Sequence, residues 1–304
     1  MGTRNMISFD WAIKRLLRNK ANFEVLEGFL SELLRRKIMI KSIIESESNQ
    51  ESSRDKYNQV DILVEADSKE LVIIELQFYG QDDYFQRMLY GASKAITEHI
   101  QKGDPYTKVR KVYSISIVYF DLGIGEDYVY HGITHFTGLH TLDELQLGEK
   151  QRSLYDKSHV GDLYPEYYIL KVKNFDDVAK DTLDEWIYYL KNNTIRDDFT
   201  AQGIGKAREI LSFDLLTEEE KKRYWREAES ERIRDSEINT AFTDGIIKGM
   251  EKGEAIGLEK GKAESNKQVV INSHRAGLSV EVIAAITGLT VGQVAEIVGG
   301  RITN

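Results

Sequence analysis

Three polar residues, Asp61, Glu75 and Gln77, lie in two short apolar runs rich in β-branched residues, 60–65 and 70–77. Carboxylates are ligands that Mg²⁺ and Mn²⁺ favour in proteins. A divalent ion held by them can activate a water, neutralise phosphoryl oxygens and stabilise a leaving oxygen. The chemistry that these residue types could carry out is therefore hydrolysis of a phosphodiester bond.

The spacing of the two runs predicts a β-hairpin with a defined register. If Leu63 pairs with Ile73, Asp61 lies directly opposite Glu75. Gln77 then projects from the same face, because side chains alternate along a strand. We therefore predict a metal site at one end of the hairpin, with Asp61 and Glu75 as ligands.

The neighbours of these residues are apolar on both faces of the predicted hairpin, as in Ile62 and Ile74 on one face and Leu63 and Ile73 on the other. Burying carboxylates in such surroundings without a partner is costly. A metal ion would resolve the cost, and a salt bridge or an edge-strand position are the structural alternatives. The chain contains no cysteine, so oxygen and imidazole ligands remain for any metal. His131 and His135 lack a carboxylate nearby in sequence, and we predict no second metal site there.

The chain up to about residue 215 alternates helical and strand patterns, which predicts an α/β domain. We expect helices over 9–18, 23–36 and 82–101, strands over 38–44, 111–120, 127–136 and 167–172 with a turn at 121–125, and two later helices, one with Trp186, Ile187 and Leu190 and one with Ile210, Leu211 and Phe213. The 304-residue length leaves room for further segments, which we place at 216–264 and 265–304.

Glycine recurs at every fourth position from Gly245 to Gly261. Each interior glycine costs a helix about 1 kcal/mol relative to alanine, so an isolated helix is not expected here. Close packing against another helix, which would make the chain a homo-oligomer, and a flexible or frayed linker are the two alternatives.

The last segment has the spacing of a small helix-turn-helix-like module. Ala284 stands where two helices would cross, Gly288 in the turn and Val294 on the second helix. Residues 291–298 contain no arginine or lysine that could contact bases or phosphates, so direct DNA reading by this module is not favoured.

Bulk properties narrow the function classes. The formal net charge of −9 argues against a protein that coats nucleic acid indiscriminately. Basic residues outnumber acidic ones between Arg4 and Lys41, which indicates either a basic surface or an ordinary solvated helix face. No window reaches the roughly eighteen apolar residues of a membrane span, and we expect a soluble, cytoplasmic protein.

The two strand motifs resemble a known superfamily. Asp61 followed by Glu75-Leu76-Gln77 is similar to the PD-(D/E)XK nuclease signature, and most of residues 8–215 resemble its Rpn group of recombination-promoting nucleases and transposases. The resemblance rests on Asp10-Trp-Ala-Ile-Lys14, Val60-Asp61-Ile62-Leu63, Ile74-Glu75-Leu76-Gln77, and Arg87 with Tyr90.

The resemblance implies a restriction-endonuclease-like mixed sheet flanked by helices, and a bacterial Mg²⁺- or Mn²⁺-dependent DNA endonuclease linked to recombination, mobile elements or phage defence. Asp61 and Glu75 would bind the metal, and Asp10 would complete the catalytic site. Lys14 is a candidate phosphate contact, with an ion pair to Asp10 as the alternative. Arg87 and Tyr90 would line the substrate groove or pack on the sheet.

The sequence departs from the family pattern at two positions. Val60 replaces a proline that mainly shapes the strand entry. Gln77 replaces lysine, and glutamine can orient a water by hydrogen bonding but brings no positive charge. The alternative function is therefore a weakly active or inactive nuclease fold that serves as a DNA-binding or regulatory partner.

Overall fold

A six-stranded sheet forms the centre of the N-terminal part of the protein. The computed structural model describes residues 4–8, 23–44 and 62–299, and the chain divides into two compact units, Met1–Lys221 and Lys222–Asn304. The strands are β1 (Arg4–Asn5), β2 (Ile40–Ile44), β3 (Ile62–Ala66), β4 (Leu71–Gln77), β5 (Val112–Val118), β6 (Val129–Gly132), β7 (Glu166–Lys171) and β8 (Thr194–Ile195). The helices are α1 (Glu24–Leu33), α2 (Tyr84–Glu98), α3 (Glu149–Tyr155), α4 (Thr182–Asn192), α5 (Ile204–Ile210), α6 (Glu218–Arg275), α7 (Val280–Thr287) and α8 (Val291–Gly299).

The strands of the sheet lie in the order β2-β3-β4-β5-β7-β6, and β1 pairs separately with β8. β2, β3 and β4 are antiparallel neighbours, β4, β5 and β7 run parallel, and β6 is antiparallel to β7. The mixed sheet with its flanking helices and helical C-terminal region confirms the predicted fold class.

The hairpin that was predicted from the apolar runs is formed by β3 and β4. Leu63 pairs with Ile73 and Ile62 with Ile74, which confirms the predicted register for the residues on both sides of the turn. Asp61 itself lies outside the described residues. Every residue of β4 before Gln77 is buried, as expected for a strand covered on both faces.

The strands predicted near 111–120 and 127–136 are present, but they do not pair with each other. β7 lies between β5 and β6, parallel to the first and antiparallel to the second. The turn at 121–125 therefore connects two strands that are not neighbours in the sheet. A β-strand contributed by a later part of the chain separates them, which no local signal at the turn could indicate.

Helix α2 connects β4 to β5 and covers one face of the sheet. Ala92 and Ala95 pack against Leu63, Leu71 and Ile73 in one apolar cluster. Closer to the start of the helix, a second cluster is formed by Tyr84, Met88, Val118, Phe120 and Leu122. The helix thus lies over the end of β4 that carries Glu75 and Gln77.

Helices α1, α4 and α5 pack against one another. Trp186, Ile187 and Leu190 of α4 are buried, as predicted, and Trp186 contacts Phe29 of α1 edge-on at 5.8 Å. The backbone of Gly28 approaches that of Gly203 so closely that a Cβ on Gly28 would lie 2.7 Å from the Gly203 Cα.

The prediction that Ile210, Leu211 and Phe213 share one helix was wrong. α5 ends at Ile210, and Phe213 begins a separate 3₁₀ turn, Phe213–Leu215. The apolar spacing at these positions reflects burial of Leu211, which needs no continuous helix.

Helix α6 runs without a break through the glycine repeat for 58 residues. The flexible-linker alternative is therefore not what the structure shows. A Cβ added at any of Gly245, Gly249, Gly253, Gly257 or Gly261 would meet nothing within 4 Å among the residues described. These glycines do not pack against another described part of the chain.

The C-terminal helices form the predicted small module. α7 and α8 meet at a bend of 114°, and Gly288 between them adopts a left-handed conformation with φ of 69°. Ala284 and Val294 share a buried apolar cluster with Val270 and Ile283. Within the described ranges no single helix is long and apolar enough to cross a membrane, and α7 and α8 reach that length and hydropathy only as a bent pair.

Candidate metal centre

Glu75 is a buried carboxylate near the end of β4, with 4% of its surface exposed. Burial of this residue follows from the sequence around it, since β4 pairs with strands on both sides and α2 closes over one face. Gly91 of α2 lies above the carboxylate, and a Cβ at that position would lie 3.8 Å from Oε1 of Glu75. At that distance a Cβ would make an ordinary van der Waals contact with the carboxylate.

Two side chains of α2 contact the Glu75 carboxylate. The Tyr84 hydroxyl donates to Oε2 over 3.4 Å, and the Arg87 Nε lies 3.6 Å from the same oxygen. Tyr84, Arg87 and Gly91 are spaced so that they share one face of the helix. The Arg87 guanidinium balances the negative charge of the Glu75 carboxylate. Burying the carboxylate without such a partner would cost much free energy.

Arg87 and Tyr90, the two substrate candidates on α2, are placed differently. The Arg87 side chain is 15% exposed and lies against Glu75, so it reaches the centre itself. Tyr90 is 55% exposed. The same outer surface of the helix exposes Phe85 and Leu89. Tyr90 is therefore accessible to a ligand, and Arg87 is accessible to one that enters the centre.

Gln77 lies two residues beyond Glu75, on the same face of the strand. Its Nε2 donates to the backbone carbonyl of Tyr79 over 3.2 Å, and its side chain is partly exposed. The amide thus stands where β4 opens to solvent, fixed by one hydrogen bond. It can orient a water or a phosphate, and it supplies no charge.

Ser116 was not identified from the sequence. It is the register partner of Glu75 on the neighbouring parallel strand β5, and 1% of its surface is exposed. Its Oγ has no hydrogen-bond partner among the described residues. The signal that could have found it is the pair of serines, Ser114 and Ser116, in the otherwise apolar strand Val-Tyr-Ser-Ile-Ser-Ile-Val.

The other predicted site residues, Asp61, Asp10 and Lys14, lie outside the described residues. The confirmed pairing of Ile62 with Ile74 ends one residue short of the Asp61–Glu75 position. Within residues 4–8, 23–44 and 62–299, no three acidic, histidine or cysteine side chains form a group that could hold a metal. Glu75 and Gln77 offer oxygen donors, which is the ligand chemistry that Mg²⁺ and Mn²⁺ favour.

His131 and His135 each pair with a carboxylate away from Glu75. His131 pairs with Glu166 at 2.9 Å, and His135 with Glu144 at 3.0 Å. Burial raises the pKa of the Glu166 carboxyl, but hydrogen bonds from Lys111 and His131 outweigh it, so that the pKa is lowered. Both histidines therefore have a carboxylate partner in space that the sequence did not show.

Comparison with known proteins gives one match. A family described as "PD-(D/E)XK nuclease family transposase" matches residues 7–241. This range includes the hairpin, α2 and the whole sheet. Searches among curated proteins and among solved structures found no match.

Proposed function

Because the chain belongs to the PD-(D/E)XK nuclease family transposases, we propose that it is a metal-dependent endonuclease that hydrolyses phosphodiester bonds in DNA. The observation that carries the proposal is the buried Glu75 carboxylate on β4, the strand that pairs with β3 in the predicted register. A nuclease of this family would act where DNA is rearranged or destroyed, as in recombination, mobile-element movement or phage defence.

The roles proposed for Asp61, Asp10 and Lys14 come from the sequence resemblance, and those for Glu75, Gln77 and Tyr90 also draw on their positions in the structure. Asp61 and Glu75 would hold Mg²⁺ or Mn²⁺, with Asp10 completing the set. When bound, the ion would supply an activated water and neutralise phosphoryl charge. Gln77 would orient the water or the phosphate. The remaining candidates would contact the substrate, Lys14 at a phosphate and Tyr90 on the accessible face of α2.

Arg87 could supply the positive charge that the family pattern places on a lysine at the position of Gln77. Gln77 stands where the family pattern has a positive charge, and the Arg87 guanidinium brings such a charge to Glu75 from the neighbouring helix. We propose that Arg87 balances the carboxylate in the metal-free protein and stabilises a phosphoryl oxygen when substrate is present. A charged donor placed in a poorly hydrated site is worth far more than in water.

Plasmid nicking tests the proposed activity. Purified full-length protein is expected to convert supercoiled plasmid to the nicked or linear form with Mg²⁺ or Mn²⁺, and to leave it intact in EDTA. DNA and RNA that both stay intact with either metal would contradict the enzyme assignment. That result would favour the alternative, a nuclease fold that serves as a DNA-binding or regulatory partner.

We also propose that the C-terminal region joins copies of the chain into a homo-oligomer. α6 carries five interior glycines without packing against a described element, although each costs about 1 kcal/mol relative to alanine. The same stretch exposes Phe242, Met250 and Leu258. Helices of this kind gain most of their stability from packing of an apolar face, so a second copy would supply what the single chain lacks. Two active sites would match the two strands of a duplex.

A further inference from the structure

The hydroxyl of Ser116 is buried in the sheet, where a polar group is expected to form a hydrogen bond. Ser116 is 1% exposed, and its Oγ has no partner among the residues that the structure describes. Buried hydroxyls nearly always have a hydrogen-bond partner, and one that lacks a partner destabilises the fold. Unsatisfied groups of this kind call for an explanation, and a ligand-dependent role is one.

Glu75 is the acidic group beside it. The two residues are register partners on the parallel strands β4 and β5, so both side chains project from the same face of the sheet. Adjacent strands are about 4.8 Å apart, which brings the hydroxyl within reach of the carboxylate through a rotamer change of either side chain. On the other side of Ser116, β7 presents the apolar Ile169.

Side chains of α2 contact the Glu75 carboxylate. Its Oε2 contacts Tyr84 and Arg87, both from α2 and both at 3.4 Å or more. Rotation toward a bound ion would redirect the oxygens away from α2.

We propose that Ser116 is a positioning residue for Glu75, whose hydroxyl donates a hydrogen bond to the carboxylate once the divalent ion is bound. This inference rests on the proposed metal site. The hydroxyl hydrogen bond orients Glu75 and satisfies a group that is otherwise buried without a partner. Groups that orient a metal ligand in this way commonly contribute about 10- to 100-fold to metal affinity.

The role predicts opposite effects of Ser116→Ala on the two states of the protein. In EDTA the variant loses an unsatisfied buried hydroxyl, so its melting temperature is expected to stay equal or to rise by roughly 2 to 4 °C. With Mn²⁺ it loses a hydrogen bond to the ligand, so its dissociation constant for Mn²⁺ is expected to rise by about tenfold or more. A merely structural serine would not move the two measurements in this way.

The experiment is calorimetric titration of the full-length protein with MnCl₂, together with thermal unfolding in EDTA. Ser114→Ala is the matched control, because Ser114 is buried on the same face of β5 but pairs with the apolar Ile73. It should bind Mn²⁺ like the wild type. Ser116→Thr keeps the hydroxyl and should retain most of the affinity.

The outcomes distinguish the positioning role of Ser116 from the proposed metal site itself. If Ser116→Ala binds Mn²⁺ as tightly as the wild type, while Glu75→Gln does not bind, the positioning role is overturned and the metal site stands. Equal loss in Ser116→Ala and Ser116→Thr also overturns the role of the hydroxyl. Wild-type protein that binds no Mn²⁺ overturns both the positioning role and the proposed site.

Discussion

Replacing Glu75 by glutamine should abolish metal-dependent cleavage of DNA. The change removes the negative charge of the buried carboxylate and keeps the size of the side chain. A bound divalent ion supplies several kcal/mol of transition-state stabilisation, so the nicking rate should fall by about 10³-fold or more. Asp61→Asn is expected to have the same effect. The measurement is the initial rate of plasmid nicking with Mn²⁺, alongside far-UV circular dichroism to show that the variants fold.

The matched control is Glu65→Gln, an acid-to-amide change on the same hairpin. Glu65 forms ion pairs with Lys41 at 2.8 Å and Arg110 at 3.1 Å, at the turn end of β3. The hydrogen bond from Lys41 lowers the pKa of this carboxyl, with a further hydrogen bond from Arg110. Glu65→Gln should nick plasmid at the wild-type rate. A folded Glu75→Gln protein with wild-type activity would rule out Glu75 as a ligand.

A change of three glycines to leucine in α6 should convert the oligomer to single chains. The three positions are Gly249, Gly253 and Gly257. A Cβ at any of them would meet nothing within 4 Å in the described part of the chain. Leucine favours a helix over glycine by nearly 1 kcal/mol per residue, so an isolated helix should gain stability. A helix that packs closely through these glycines should lose its partner instead, because the added side chains keep the backbones apart. Sedimentation velocity of the full-length protein measures the change in mass.

Ala255→Leu is the control for this experiment. Residue 255 is about 200° around the helix from Gly253 and is exposed. Its replacement should leave the mass of the particle unchanged. A wild-type chain that sediments as a monomer, or a triple leucine variant that keeps the oligomer, would contradict association through the glycine face.

The hairpin could be predicted because its information is local. Two apolar runs of strand length, separated by four polar or small residues, leave few registers that keep Leu63 and Ile73 on one buried face. The position of Glu75 on that hairpin followed from the alternation of side chains. Burial of the carboxylate followed from apolar neighbours on both faces.

The order of the strands could not be obtained in the same way. β5 and β6 are close in sequence, and the intervening turn favours pairing between them. β7 separates them because the chain returns about forty residues later to form parallel pairs with β5. Such long-range pairing depends on packing of the whole sheet, which single residues do not reveal.

The surroundings of Glu75 show the same limit. The sequence placed Arg87 and Tyr90 on one helix, but it could not tell which face of that helix lies on the sheet. The structure turns Tyr84 and Arg87 toward the carboxylate and leaves Tyr90 exposed.

The glycine repeat shows that propensity can mislead. Because each of the five interior glycines destabilises a helix, we did not expect an isolated helix over this repeat. The structure contains a continuous helix through all of them. The propensity argument is sound for a helix without partners, so the conflict is itself a reason to look for a second chain.

The most direct test of the metal site is a crystal structure of the protein soaked with Mn²⁺, with anomalous data that locate the ion. The site predicts one peak bonded to carboxylate oxygens of both Asp61 and Glu75, and Ser116 Oγ within hydrogen-bonding distance of Glu75. Asp61 and Glu75 far apart, with no Mn²⁺ between them, would contradict the proposed centre.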